Sequence, residues 1–229
     1  WPRLISVFSR LQEFSAYQVH YCRLIILDAG CMLSLPRNLK RMSVALQGAL
    51  EAFCSALAQQ DHFTCLEHVE LGNWGNTAEE MDPRIVVGAR WPRTLSSIVL
   101  QDYLFPHQVC LDELPPSLTK FHVNLDQGYH MPREGFRLST SIVDLAMVDR
   151  SEEEALGGGT NVLDIMPPSL TSLSMSLLPS MSGIPGDTSS QWSRLPRSLQ
   201  TLQLKAKSVS LEDFQSLPSG LTSFDLHTS

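Results

Sequence analysis

The 229-residue chain holds none of the compact motifs that announce chemistry. It has no Cys-x-x-Cys pair for zinc, no His-Glu-x-x-His, and no Gly-x-Ser-x-Gly elbow to present a nucleophile. The glycine run Gly157-Gly158-Gly159 is not followed by Gly-Lys-Ser/Thr, so it is no phosphate loop. The expectation is therefore a non-enzymatic protein with no metal and no cofactor. Positive charge is short as well: 17 Lys and Arg stand against 24 Asp and Glu, a net charge of -7. Nucleic-acid binding draws on a basic surface that releases counterions from phosphate, so nucleic acid is not an expected partner. No apolar run approaches the roughly 18 residues of a membrane-crossing helix, and no membrane span is expected.

Cysteine is sparse and unpaired in spacing. Cys22, Cys31, Cys54, Cys65 and Cys110 all fall in the first half, and five is an odd number. No Asn-x-Ser/Thr acceptor site occurs anywhere. Both features favour a reducing compartment, so a cytoplasmic location is expected. At 43% hydrophobic and 18% charged residues, the composition is that of a folded chain.

What the chain does have is a phrase that returns. It reads Leu114-Pro115-Pro116-Ser117-Leu118, then Met166-Pro167-Pro168-Ser169-Leu170, then Leu195-Pro196-Arg197-Ser198-Leu199. Further copies begin at Trp91 and Leu217. Aligned on the Leu that closes the phrase, the anchors are Leu66, Leu95, Leu118, Ile142, Leu170, Leu199 and Leu221, spaced 29, 23, 24, 28, 29 and 22 residues apart. Apolar residues follow each anchor at +3 and +5, from Val69 and Leu71 to Phe224 and Leu226. Positions two apart share one face of an extended strand. Strands are thus predicted near 66–71, 95–100, 118–123, 142–147, 170–175, 199–204 and 221–226. Proline ahead of the anchor suits an entry turn, because it fixes its own backbone and has no N–H to give. The Ser, Thr or Asn before the anchor is a turn residue by its side-chain hydrogen bonding. The units at Leu66 and Ile142 lack the Pro.

This L-x-x-L-x-L core with its 22–29-residue spacing resembles the leucine-rich repeat. The Leu-Pro-x-Ser-Leu lead-in is similar to irregular variants, including the FNIP type. The resemblance covers about Cys22 to Leu226. It implies an α/β solenoid: a curved parallel sheet on a concave face, a helix-backed N-terminal third, and an irregular convex side after about residue 72. It also implies one array over 1–229 that recognises a protein partner. The Asn usual at anchor +8, which ladders hydrogen bonds through the coil, is replaced by Trp74, Tyr103, Asp126, Arg150, Leu178, Lys207 and Ser229. Other groups must then satisfy that backbone.

The N-terminal third follows a different rhythm. Leu4, Val7, Phe8, Leu11 and Phe14 keep helical spacing, which predicts an amphipathic helix over 3–16. Leu35-Pro36-Arg37-Asn38-Leu39 matches the phrase, yet Leu39, Met42, Leu46, Leu50, Phe53 and Leu57 also keep helical spacing. The Ala-rich stretch that follows tips the reading to a helix over 39–60, with a strand near 22–27 before it. A start at Trp1 and the lack of a polar cap beyond the last strand suggest a piece of a longer protein.

Function, on this reading, lies in the letters that vary. The outward strand positions carry His68, Glu70, Ser97, Val99, Gln101, Lys120, His122, Asn124 and Asp144, a mixed polar surface offered to a protein partner by a monomer. His68 and His122 read first as solvated strand residues, two units apart and too distant to share a metal. Trp74 follows a strand directly and reads as interior packing before it reads as an interface anchor. Trp91 stands where other units place Leu or Met and is assigned to the core; Trp192 is placed to seal the loop before Leu195. The stretches 151–159 and 179–191 are the expected surface loops.

Overall fold

A computed structural model of the chain describes residues 11–17, 29–45, 49–58, 63–72, 91–101, 114–125, 138–149, 163, 166–176, 191–206 and 211–228. Two compact units divide it, residues 1–118 and 119–229. The first contains strands β1 (Glu13–Tyr17), β2 (Arg41–Ala45), β3 (His68–Gly72) and β4 (Ser97–Gln101). It also holds helices α1 (Ala29–Leu33) and α2 (Ala49–Ala58). The second contains β5 (Lys120–Leu125), β6 (Asp144–Asp149), β7 (Ser172–Ser176), β8 (Thr201–Ala206) and β9 (Ser223–Thr228). A 3-10 turn, Gln191–Arg194, and a short helix α3 (Leu211–Gln215) complete it.

Each unit of the repeat begins with the same turn. The anchor amide donates to the carbonyl three residues back, as in Leu95 to Pro92 (3.1 Å), Leu118 to Pro115 (3.0 Å), Leu199 to Pro196 (3.1 Å) and Leu221 to Pro218 (3.1 Å). Proline serves here because the turn uses its carbonyl and asks nothing of its nitrogen. The two units without Pro close the same way, with Phe63 and Ser139 accepting from Leu66 and Ile142 at 3.1 Å each. Proline is therefore helpful to this turn and not required by it.

After the turn the backbone enters a parallel ladder. The amides of Thr171 and Ser172 both donate to Val143 O, and those of Thr222 and Ser223 to Gln200 O. In the first unit β1 pairs with β2, β2 with β3 and β3 with β4, all parallel. In the second, β5 to β9 pair in chain order, again all parallel. The register aligns like with like: Phe121, Leu145, Leu173, Leu202 and Phe224 stand opposite one another across the second unit. The anchors Leu39, Leu66, Leu95, Leu118, Ile142, Leu170 and Leu199 are all 0% exposed, whereas Leu221 of the last repeat is half-buried. The +3 and +5 residues from Met42 to Leu204 are buried beside them. Each such side chain contributes roughly 1.5–3 kcal/mol by leaving water, and the contribution exists only when a neighbouring unit covers it.

Side-chain hydroxyls tie successive units together. Thr94 Oγ1 donates to Leu66 O (2.8 Å), Ser117 Oγ to Leu95 O (2.8 Å), Ser169 Oγ to Ile142 O (3.1 Å) and Ser198 Oγ to Leu170 O (2.7 Å). In every case the residue before one anchor reaches the carbonyl of the anchor one unit earlier. The serine of the phrase is thus more than a turn residue: it bonds between units. A second row runs one step on, from Ser96, Thr171 and Thr222 to the carbonyls of Glu67, Val143 and Gln200 at 3.0 Å each.

The N-terminal third departs from the helical expectation. Residues 13–16, placed in a helix over 3–16, lie in strand β1, and residues 3–10 lie outside the described residues. Residues 41–45, placed in a helix over 39–60, form β2, and α2 begins only at Ala49. The reason is tertiary. Leu39 closes the Pro36 turn at 3.2 Å, and Met42 and Val44 then align with Val69 and Leu71 and are buried with them. Burial in that layer outweighs a difference in helix propensity of a few tenths of a kcal/mol per residue. The expected strand near 22–27 lies outside the described residues, and the neighbour of β2 is β1.

Helix α2 does back this region. Ala52, Phe53, Ala56 and Leu57 form its buried side, the i, i+1, i+4, i+5 stripe of an amphipathic helix. Phe53 meets Phe63 at 5.6 Å and Trp91 at 6.0 Å between ring centroids. Trp91 is core, as its place in the phrase predicts. Trp192 is buried against Phe214 (6.1 Å) and Phe224 (6.5 Å). Trp74 and the loops 151–159 and 179–190 lie outside the described residues.

Candidate functional site

The pleat that buries the +3 and +5 residues turns +2 and +4 the other way. His68, Glu70, Ser97, Val99, Lys120, His122 and Asp144 stand at those +2 and +4 positions of the register. In the first unit His68 and Ser97 stand opposite each other, with His68 Nδ1 2.8 Å from Ser97 Oγ. Glu70 stands opposite Val99, and its Oε2 accepts from Ser43 Oγ at 2.9 Å. Ser43 was hidden from the sequence reading by the helix assigned to 39–60. Two ion pairs flank this face, Lys40 with Glu67 (3.3 Å) and Arg41 with Glu13 (3.7 Å).

In the second unit Asp144 is the meeting point. Lys120 Nζ lies 3.5 Å from its Oδ2, and His122 Nε2 lies 3.1 Å from its Oδ1. His122 Nε2 is covered by protein, and toward Asp144 it keeps ion-pair distance without the alignment of a good hydrogen bond. Partial burial pushes the Asp144 carboxyl upward. The contact with His122, the charge of that ring when protonated, a hydrogen bond with Ser172 and the Lys120 ammonium outweigh it and hold the carboxyl below its ordinary 3.8. Three successive strands, β5, β6 and β7, thus converge on one carboxylate. Toward the end of the unit, Ser174 Oγ donates to Gln203 Oε1 (3.0 Å), and His227 Nε2 lies 3.2 Å from Asp225 Oδ2. Gln101 and Asn124 lie in β4 and β5, and their side chains are outside the described residues.

Among the described residues no group of three or more His, Cys, Asp or Glu side chains is placed to hold a metal ion. No described helix is long and apolar enough to cross a membrane. Among the described residues Lys40, Arg41 and Lys120 each stand beside a carboxylate, that of Glu67, Glu13 and Asp144.

Parallel strands 22–29 residues apart, each led by a closed turn and each burying the L-x-x-L-x-L positions in one register, decide the architecture. The fold is a leucine-rich-repeat solenoid. Among solved leucine-rich-repeat structures, the chain is similar to the leucine-rich repeat-containing protein LegL7 from Legionella pneumophila. That likeness has 13% identity and a TM-score of 0.44, over 86% of this chain and 77% of that one. It is also similar to CroV588, described as a novel circular LRR protein, with 15% identity and a TM-score of 0.40, over 95% of this chain and 34% of that one. No protein-family model matches this leucine-rich-repeat chain, and no curated protein matches it either. The repeat here departs from the usual pattern at the point where hydroxyls before the anchor bond between units, while the Asn at +8 is missing.

Proposed function

We propose that this solenoid is a non-catalytic scaffold that recognises another protein through the outward face of its strands. One observation carries the reading: the inward residues repeat from unit to unit, while the outward residues differ at nearly every unit on the same regular backbone. A constant scaffold with variable letters is the arrangement expected of a surface shaped for a particular partner. The first unit offers His68, Glu70, Ser97, Val99 and Gln101 and the second offers Lys120, His122, Asn124 and Asp144, presented by a cytoplasmic monomer. No Trp, Tyr or Arg anchor stands among them, so the predicted interaction is moderate in strength.

The test is joint replacement of His68, Glu70, Lys120 and His122 by Ala, with crosslinked partners from native extract compared between the two proteins. Selective loss of a partner at unchanged thermal midpoint supports the reading. Unchanged capture by the folded variant removes this face from consideration.

A second reading is favoured by the way the outward side chains satisfy one another. Lys40 with Glu67, Lys120 with Asp144 and Ser174 with Gln203 each join neighbouring units. A spacer within a larger protein needs just such cross-unit contacts and no ligand. Failure to crosslink any protein through this face, together with a stability loss from the same substitutions, selects it.

A further inference from the structure

No further inference is drawn: the strongest candidate, the apolar surface patch of Leu211 and Phe214 beside the outer edge of β9, carries nothing because nothing in the structure shows what covers it.

Discussion

Ser198 donates its hydroxyl to the carbonyl of Leu170, 28 residues earlier, at 2.7 Å, and Pro168 O lies at the same distance. The bond crosses from one repeat to the next at the anchor itself. Its place in the phrase is shared by Thr94, Ser117 and Ser169.

Replacing Ser198 by Ala removes that bond and leaves the Leu170 carbonyl half-buried without this donor. The expected cost is about 1 kcal/mol of unfolding free energy, the usual net value of such a bond. Ser198→Thr, which keeps the hydroxyl as Thr94 does, should retain most of it. Urea denaturation of the three proteins checks this; equal midpoints for wild type and Ser198→Ala would remove the ladder as a stabilising element.

Gly220 occupies the same place in the last repeat and has no hydroxyl to offer. A Cβ built there would lie 3.6 Å from Arg197 O and 3.8 Å from Leu199 O, an ordinary contact distance, and its backbone is not in the left-handed region that favours glycine. These are the same two carbonyl positions that Ser198 reaches one repeat earlier. Gly220→Ser should therefore raise stability by roughly 0.5–1 kcal/mol, from the new bond and from a less flexible unfolded chain. Gly220→Ala separates the two effects, since it supplies only the second. A serine variant no more stable than the alanine variant would mean the rung does not form.

Met42 and Arg41 test the strand against the helix in the N-terminal third. Met42 is 0% exposed, while Arg41 is 66% exposed in its ion pair with Glu13. Met42→Ala should cost about 2–4 kcal/mol, the range for a large core side chain cut back to Ala. Arg41→Ala should change the midpoint little, because exposed ion pairs contribute about 0–1 kcal/mol. Similar small effects from both would contradict the alternation of β2.

Asp144 predicts an acid dependence. Its carboxyl is held below the ordinary 3.8, so the folded chain binds this proton less readily than the unfolded chain does. The contribution is fully present above the unfolded value. It declines as pH falls below about 4 and is gone once pH has passed the folded value. Asp144→Asn should flatten the fall in stability over that window while lowering stability at neutral pH. Chemical denaturation at a series of pH values from neutral to below 4 reads both; an unchanged acid slope in the variant would place the dependence elsewhere.

The second half was legible because nothing competed with its pattern. At Leu118, Leu170 and Leu199 the turn proline, the anchor and the +3 and +5 residues all point to one strand, and the paired strands fall there. At Leu39 two periods overlap: Leu39, Met42 and Leu46 fit a helix, while Leu39, Met42 and Val44 fit the strand of the phrase. Local sequence could not choose between them, because the deciding term is burial against β3, which lies 27 residues on. The outward pairings were less legible still. That Ser43 would meet Glu70, or that Lys120, His122 and Ser172 would meet at Asp144, depends on lateral register, which a single strand does not encode.

By itself, then, the sequence determined the repeat: its period, its turn, its inward layer and the set of residues left facing outward. These follow from covalent geometry and from the two-residue alternation of a strand, both local in the chain. The tertiary structure decided where the first described strands begin, which hydroxyls bind one repeat to the next, and which outward charges neutralise each other. Those outcomes depend on contacts between residues 22–30 positions apart, whose free energy appears only after the units have stacked.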